Sequence, residues 1–430
     1  MKKIFNIVLI FALSGLDCNV YSKNIKTLKE KPKMFNPNNF GGTDSARINS
    51  AVAAASAAGV NKVTITARQN ADGRKYWLID EAITLPANME VIIDNCKIKL
   101  SDNCRDNFFR SANCGIGIKK IKPIENIRII GKGNAVLEGA DRPRATGDSG
   151  KILNDITYGS DADKPNENPK GDWRNIGILF AYVNNFAISG ITMSNYHAWG
   201  ISLEYCSYGK LTDIKFDTAE YRTIDGKQWR ILNQDGIDLR RGCHHIDIEN
   251  VSGSSGDDIV ALTALKSSKK TTGTAAGTEI SVTDKDMEKN HIHDVNIRNI
   301  SGASNHNFIR LLNNFGIKIY NIKIENVKLD LSKLKNNNAM GGAAIRIGDA
   351  KEAWGGVTPL GDTYNITIRN IDSNAPKAIL IAGSLANSEI SNVTNRNKSC
   401  QPVECSSGDE NMKNVKISDI KNIGSVLNID

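Results

Sequence analysis

The chain has 430 residues, 40% of them apolar and 24% charged, and a formal charge of +8 at neutral pH. This is the composition of a folded globular protein, and it excludes a disordered chain. The basic residues are scattered, with no run interleaved with aromatics, which argues against a nucleic-acid binder; the mild excess suits an acidic polymer without requiring one.

Residues 1–22 read as a secretory signal. Lys2 and Lys3 give the basic start, Ile4 to Leu16 the apolar stretch, and Val20-Tyr21-Ser22 the cleavage site. The apolar stretch is too short to span a bilayer, and no other candidate span follows. A lipid anchor at Cys18 is the alternative, disfavoured by Asp17 before it. The expected location is secreted or periplasmic, with 23–430 as one mature domain. Removing the signal leaves 53 basic and 46 acidic residues and seven cysteines. Cys104 with Cys114, and Cys400 with Cys405, are close enough to pair in an oxidising compartment. Cys96, Cys206 and Cys243 fall in strand-like runs and read as small buried hydrophobes. No Cys/His grouping has the spacing of a zinc site, so neither metal nor cofactor is expected.

Past a polar stretch to Asn39, Thr43 or Asp44 can cap an alanine-rich helix through Ala46 to Ala58, closed by Gly59. One helix before many strands is expected to plug the first coil and cover its open core. Strand signals begin at Lys62 and settle into a repeat of apolar alternation, as in HIDIENVSG, VNIRNISG, YNIKIENVKL and YNITIRNIDS. Asn250, Asn299, Asn326, Asn370, Asn392 and Asn422 fall at similar places in these units, separated by 49, 27, 44, 22 and 30 residues. Those spacings are one or two multiples of a period in the low twenties, with insertions. Such a repeat means a solenoid, because one unit buries its apolar face only when neighbours stack on it. Asparagine at a repeated corner tolerates left-handed backbone and can build side-chain ladders. The leucine spacing of leucine-rich repeats is missing. The expected fold is all-β, a single-stranded right-handed parallel β-helix with an N-terminal capping helix. The hydrophilic segments 141–175 and 266–289 break the rhythm and read as excursions from the coils.

The chemistry concentrates in Asn233 to Asp258. Asp235 lies 23 residues from Asp258 and Asp257 stands beside it. If a coil takes about that many residues, the two ends stack roughly 4.8 Å apart. Three carboxylates then converge on one patch, where mutual repulsion keeps at least one protonated beside an ionised neighbour. A lone Asp-Gly is an ordinary turn; two acidic clusters one coil apart point to acid/base work.

The runs NFAISGITMSNYHAWGISLEYC, NQDGID and SGDDIVAL resemble family 28 of the glycoside hydrolases, the polygalacturonase-like enzymes, whose pattern has an Asn-Thr-Asp-Gly-Ile-Asp block and then a Gly-Asp-Asp block. Asn233-Gln234-Asp235 matches the first with one substitution, and Gly256-Asp257-Asp258 matches the second in full. The family's Gly-His-Gly block corresponds to NHN around His306, with both glycines replaced. Its Arg-Ile-Lys block corresponds to Arg346-Ile347-Gly348, with the lysine lost. The N-terminal FGGTDSARINSAVAAA is similar to the capping segment of pectate-lyase-like β-helices.

The resemblance implies inverting hydrolysis of a glycosidic bond in a pectic or other acidic polysaccharide. Asp257 would be the general acid, Asp235 and Asp258 would hold and deprotonate water, and His306 would tune their protonation. Arg346 would clamp a substrate carboxylate or hydroxyl. Arg310 in FIRLLN is the alternative arginine. His197, one or two coils before Asp235, is a candidate wall residue or a core-edge histidine beside Trp199, and Arg240 lies a short step from Asp235. His244 and His245 are expected to be solvated on a coil turn. Trp173, Trp199, Trp229 and Trp354 can stack on sugars or simply pack. The lost lysine points away from plain polygalacturonate, toward a decorated polymer or exo action. A polysaccharide lyase on the same fold and a non-catalytic binding solenoid are the rival readings.

Overall fold

Helix α1, Asp44–Ala57, closes the start of the solenoid. Of the two capping candidates it is Thr43 that caps, its hydroxyl accepting the Ala46 N–H at 3.2 Å. Asp44 is instead buried and takes Arg68 Nε at 2.8 Å and the Leu78 N–H at 2.8 Å, tying the helix to the first coil. Ile48, Ala51, Val52 and Ala55 recur at helical spacing and face the core. The computed structural model describes residues 35–423 except 70–71, 105, 116–117, 119, 143–171, 232, 268–278 and 335–341; the side chains of Trp229 and Arg230 are also outside the description. These described residues belong to one compact unit, Met34–Asp430. The expected signal 1–22 and most of the 141–175 excursion lie outside the described residues. No helix among the described residues is long and apolar enough to cross a membrane.

From Lys62 onward the chain winds as a right-handed parallel β-helix. One sheet runs from Lys62–Ile65 through Ser207–Asp217, His244–Ser255, Ile292–Ser304 and Ile319–Leu329 to Met412–Asn422. A second, ten-stranded sheet runs from Ile83–Leu85 through Ile201–Glu204, Ile237–Arg240, Val260–Ala264, Ile309–Asn313 and Ala343–Ile347 to Val403–Cys405. Among the described residues the antiparallel pairing is confined to the hairpin of Tyr221–Ile224 with Lys227–Arg230.

Period-2 alternation supplies the core. Leu211, Ile248, Ile297, Ile324, Ile368 and Ile390 stack coil on coil in register and are all buried. Each such aliphatic side chain contributes roughly 1.5–3 kcal/mol when removed from water. At the corner beside this stack, Asn250, Asn299, Asn326, Asn370 and Asn392 form a ladder of amide hydrogen bonds 2.7 to 3.1 Å long. All five have φ between 52° and 60°, the left-handed backbone that asparagine tolerates.

Asn422 is not a rung. The left-handed corner of the last coil is Asp419, φ 53°, and Asn422 donates to the Cys400 carbonyl at 2.9 Å. In the last unit the rung residue is aspartate, so following asparagine alone shifts the register by three residues. The cysteine pairings are also corrected: Cys104, Cys114, Cys400 and Cys405 are all free thiols. The Cys104 thiol meets the Asp106 carbonyl at 3.6 Å, whereas the Cys114 thiol sits against Ser111. Cys96, Cys206 and Cys243 are buried, as their strand setting predicts.

Candidate active site

The register of the second sheet builds the site. Ile237 lies opposite Val260, so one coil here takes 23 residues and the segments entering the two strands stack on each other. The Gly236 N–H donates to the Asp258 carbonyl at 2.9 Å and the Asp257 N–H to the Gln234 carbonyl at 3.3 Å. Asp235 and Asp258 therefore take equivalent places on consecutive coils. Gly256 permits the approach, since a Cβ there would stand 2.6 Å from Gln234 Oε1. Gln234 is itself fully buried and anchored through Nε2 to the Tyr196 carbonyl at 2.6 Å.

Asp235, Asp257 and Asp258 line one cavity, whose wall also carries Asp238, Arg240, Arg310, Trp199 and Trp354. The cavity offers about 40 Å³, space for a few water molecules at about 10–15 Å³ each and not for a sugar ring. Asp235 and Asp258 are buried, whereas Asp257 is half-buried. Asp235 Oδ2 accepts the Trp199 Nε1–H at 3.0 Å. Asp258 Oδ1 accepts the Asn307 N–H at 3.0 Å, and its Oδ2 faces Arg310 Nη1 at 3.6 Å. Asp257 Oδ1 accepts the Asp258 N–H at 3.0 Å.

Burial, and then the charges of Asp257, Asp238 and Asp258, push the Asp235 carboxyl well above the usual range, against a smaller opposing pull from Arg240. Burial among like charges favours the protonated form of this carboxyl. Its countercharge comes from arginine. Burial works against the Arg310 cation, but Asp258, Asp257, Asp349 and Asp235 overcome it and raise its pKa.

Each expected site residue has a definite place. Arg310 and Arg240 reach the cavity with the three acids. Arg346 lies one coil beyond Arg310 in the same column. Buried Asp349 accepts both, from Arg310 Nη2 and Arg346 Nη2 at 2.8 Å each. Arg240 is buried, stacks over the Trp199 ring at 4.7 Å and faces Glu279 at 3.5 Å. His306 is not on the described wall; its N–H donates to Ser304 Oγ at 3.1 Å. What the Asn-His-Asn segment delivers to the acids is the neighbouring backbone N–H of Asn307. His197 is buried off the wall, with Nε2 3.0 Å from the Ala140 carbonyl. Trp173 packs with Trp199 in a small apolar cluster. Trp354 stands at the cavity under the Arg310 guanidinium, 5.1 Å away.

Asp238, Asp349 and Glu279 escaped the sequence reading. Asp238 had a signal, since it ends the Asn-Thr-Asp-Gly-Ile-Asp type block. Asp349 follows the Arg346 block by a single residue. Glu279 had none: it belongs to the 266–289 excursion and meets Arg240 and Arg241 only because that segment returns to the coil.

The family described as "Glycosyl hydrolases family 28" matches residues 158–336, the stretch that includes all three acids. Two solved structures share the fold. A polygalacturonase from Erwinia carotovora ssp. carotovora is 15% identical, with a TM-score of 0.50 over 91% of this chain and 94% of that one. A hyperthermoactive exopolygalacturonase from Thermotoga maritima is 15% identical, with a TM-score of 0.51 over 90% of this chain and 92% of that one. No curated protein matches the chain in sequence.

Proposed function

We propose that this chain, a glycoside hydrolase whose residues 158–336 fall in glycosyl hydrolases family 28, is exported and cleaves an acidic, pectin-type polysaccharide with inversion at the anomeric carbon. The observation that carries this reading is the shared cavity of Asp235, Asp257 and Asp258. Inverting hydrolysis needs an acid at the leaving oxygen and a carboxylate that activates water from the opposite face. Asp257 is the most exposed of the three acids, so it meets the glycosidic oxygen and donates its proton there. Asp235 and Asp258 sit deeper, beside space of water size, and take the proton of the attacking water. The Arg310 guanidinium stands 3.6 Å from Asp258 Oδ2, a cation beside the carboxylate that faces the water. The raised proton affinity of Asp235 strengthens it as an acceptor of the water's proton.

An acidic substrate is favoured by the arginine column. Arg346 is 25% exposed at its side chain, and Arg310 supplies the positive charge that a lysine at position 348 would otherwise bring. A guanidinium pairs with a uronate carboxylate through two parallel hydrogen bonds. Trp354 offers an apolar face at the mouth for a sugar ring.

The test is the Asp257→Asn variant on a panel of pectic polysaccharides, with released reducing ends, product anomer by NMR and the circular dichroism spectrum recorded together. Loss of hydrolysis by roughly 10²–10⁴-fold with an unchanged spectrum is expected. Undiminished cleavage would end the assignment, and products absorbing in the ultraviolet through a new double bond would identify elimination instead.

A further inference from the structure

At the corner where strands of the first sheet begin, a second column of residues takes left-handed backbone. In the later coils it is asparagine, with Asn365 Nδ2 donating to Asn321 Oδ1 at 2.6 Å and Asn414 Nδ2 to Asn387 Oδ1 at 3.0 Å. On two earlier coils the column holds His245 and Asp294, each at φ 54°. An imidazole in that backbone gains no ladder bond to offset the conformational cost. The adjacent column adds His293, whose ring is clamped between His244 and Tyr320 with centroids at 4.9 and 4.8 Å.

The donor atoms of His245, His293 and Asp294 all lie within 4.8 Å of one another. His293 Nδ1 is 2.7 Å from Asp294 Oδ2, and His245 Nε2 is 3.7 Å from the same oxygen. The outer contacts are those a metal site uses to orient its ligands. Asp294 Oδ1 accepts Asn321 Nδ2–H at 2.9 Å, which orients the carboxylate with Oδ2 toward both imidazoles. His245 Nδ1 lies 2.9 Å from His244 Nδ1; when His245 donates there, its Nε2 lone pair is free for coordination. The three side chains are 44%, 21% and 37% exposed, so an ion can enter from solvent. His245 and Asp294 open on a groove of about 490 Å³ that also carries Asp247, Asn296 and Lys323.

We propose that His245, His293 and Asp294 form a binding site for a divalent transition ion of the zinc class, with solvent completing the coordination. Two imidazoles and a carboxylate suit zinc, nickel or copper, whereas calcium requires six or more oxygen donors. His245 belongs to His244–Ser255 and the other two ligands to Ile292–Ser304, the strands on either side of the 266–289 excursion. A bound ion therefore ties together the coils from which that excursion leaves and to which it returns. The site is separate from the acid cavity, and the inference stands independently of the hydrolase reading.

The full-length protein is titrated with Co²⁺, followed by its visible absorption, and with Zn²⁺ by calorimetry. One ion per chain is expected, with Ca²⁺ unable to displace it. His245→Ala and His293→Ala should each weaken Zn²⁺ binding by at least ~100-fold, and Asn321→Ala by about 10-fold. His245→Ala should keep the wild-type circular dichroism and hydrolysis rate, which separates ligand loss from misfolding. Zn²⁺ affinity unchanged in both histidine variants, no stoichiometric ion on the folded wild type, or displacement by Ca²⁺ would each overturn the proposal.

Discussion

Replacing Asp235 by Asn separates what this residue does for chemistry from what it costs the fold. Asn keeps an acceptor for the Trp199 N–H now bonded at 3.0 Å, losing about 1 kcal/mol, the difference between a charged and a neutral acceptor. Against that it removes a buried carboxyl opposed by Asp257, Asp238 and Asp258, and relief of this kind at a functional site typically returns about 0.5–2 kcal/mol. The net at neutral pH runs from a loss of about 0.5 to a gain of about 1 kcal/mol. With an unfolding entropy of about 2.1 cal/mol/K per residue over the unit Met34–Asp430, that gain raises Tm by only about 1 °C, so the urea midpoint is the better measure. If Asp235 is one of the two proposed bases, hydrolysis should fall by roughly 10²–10⁴-fold.

The pH dependence gives the sharper test. The folded-state pKa of Asp235 is raised, so its contribution to stability is held at acid pH and lost as pH rises through that raised value. The advantage of Asp235→Asn should be absent in acid, where the wild-type carboxyl is also neutral, and grow toward neutral pH and above. Urea unfolding of both proteins across this range measures it directly. A variant whose stability relative to wild type does not improve as pH rises, or near-normal hydrolysis, would refute the reasoning.

Asp349→Ala removes the buried carboxylate shared by Arg310 and Arg346 and should destabilise by about 3–5 kcal/mol in urea. Asp349→Asn should cost less and show its effect mainly in KM, because both arginines lose their anchor. Asn326→Ala breaks the ladder on both sides, to Asn299 and from Asn370, at φ 58°; a loss of about 2–3 kcal/mol is expected. Asn326→Gly should recover the backbone share of that loss, and equal stability of the two variants would show that only the hydrogen bonds matter.

Features that depend on residues near one another along the chain are legible in the sequence itself. The alternation of HIDIENV and its relatives defines which side chains enter the core, because successive residues of a strand face opposite ways. The capping helix follows from Thr43 and an alanine-rich run, since an N-cap needs one side-chain oxygen and three following residues. The pairing of Asp235 with Asp258 is readable as well, because no insertion falls between them and the coil keeps its 23-residue length.

Where insertions of unequal length intervene, spacing along the chain ceases to report neighbours in space. Arg310 and Asp349 are 39 residues apart, Asn250 and Asn299 are 49, and His293 lies opposite His244 across the 266–289 excursion. Loop length scarcely changes the energetics of stacking, so only the folded register determines which residues meet. It brought Arg310 to the cavity with the acids and left Arg346 and His306 off its described wall. It also moved the last ladder corner from Asn422 to Asp419, and carried Glu279 back to Arg240. The sequence alone determined that the chain winds and that two acidic segments stack; the tertiary register decided which charges and imidazoles surround them, because lateral contacts in a solenoid follow coil number, not chain distance.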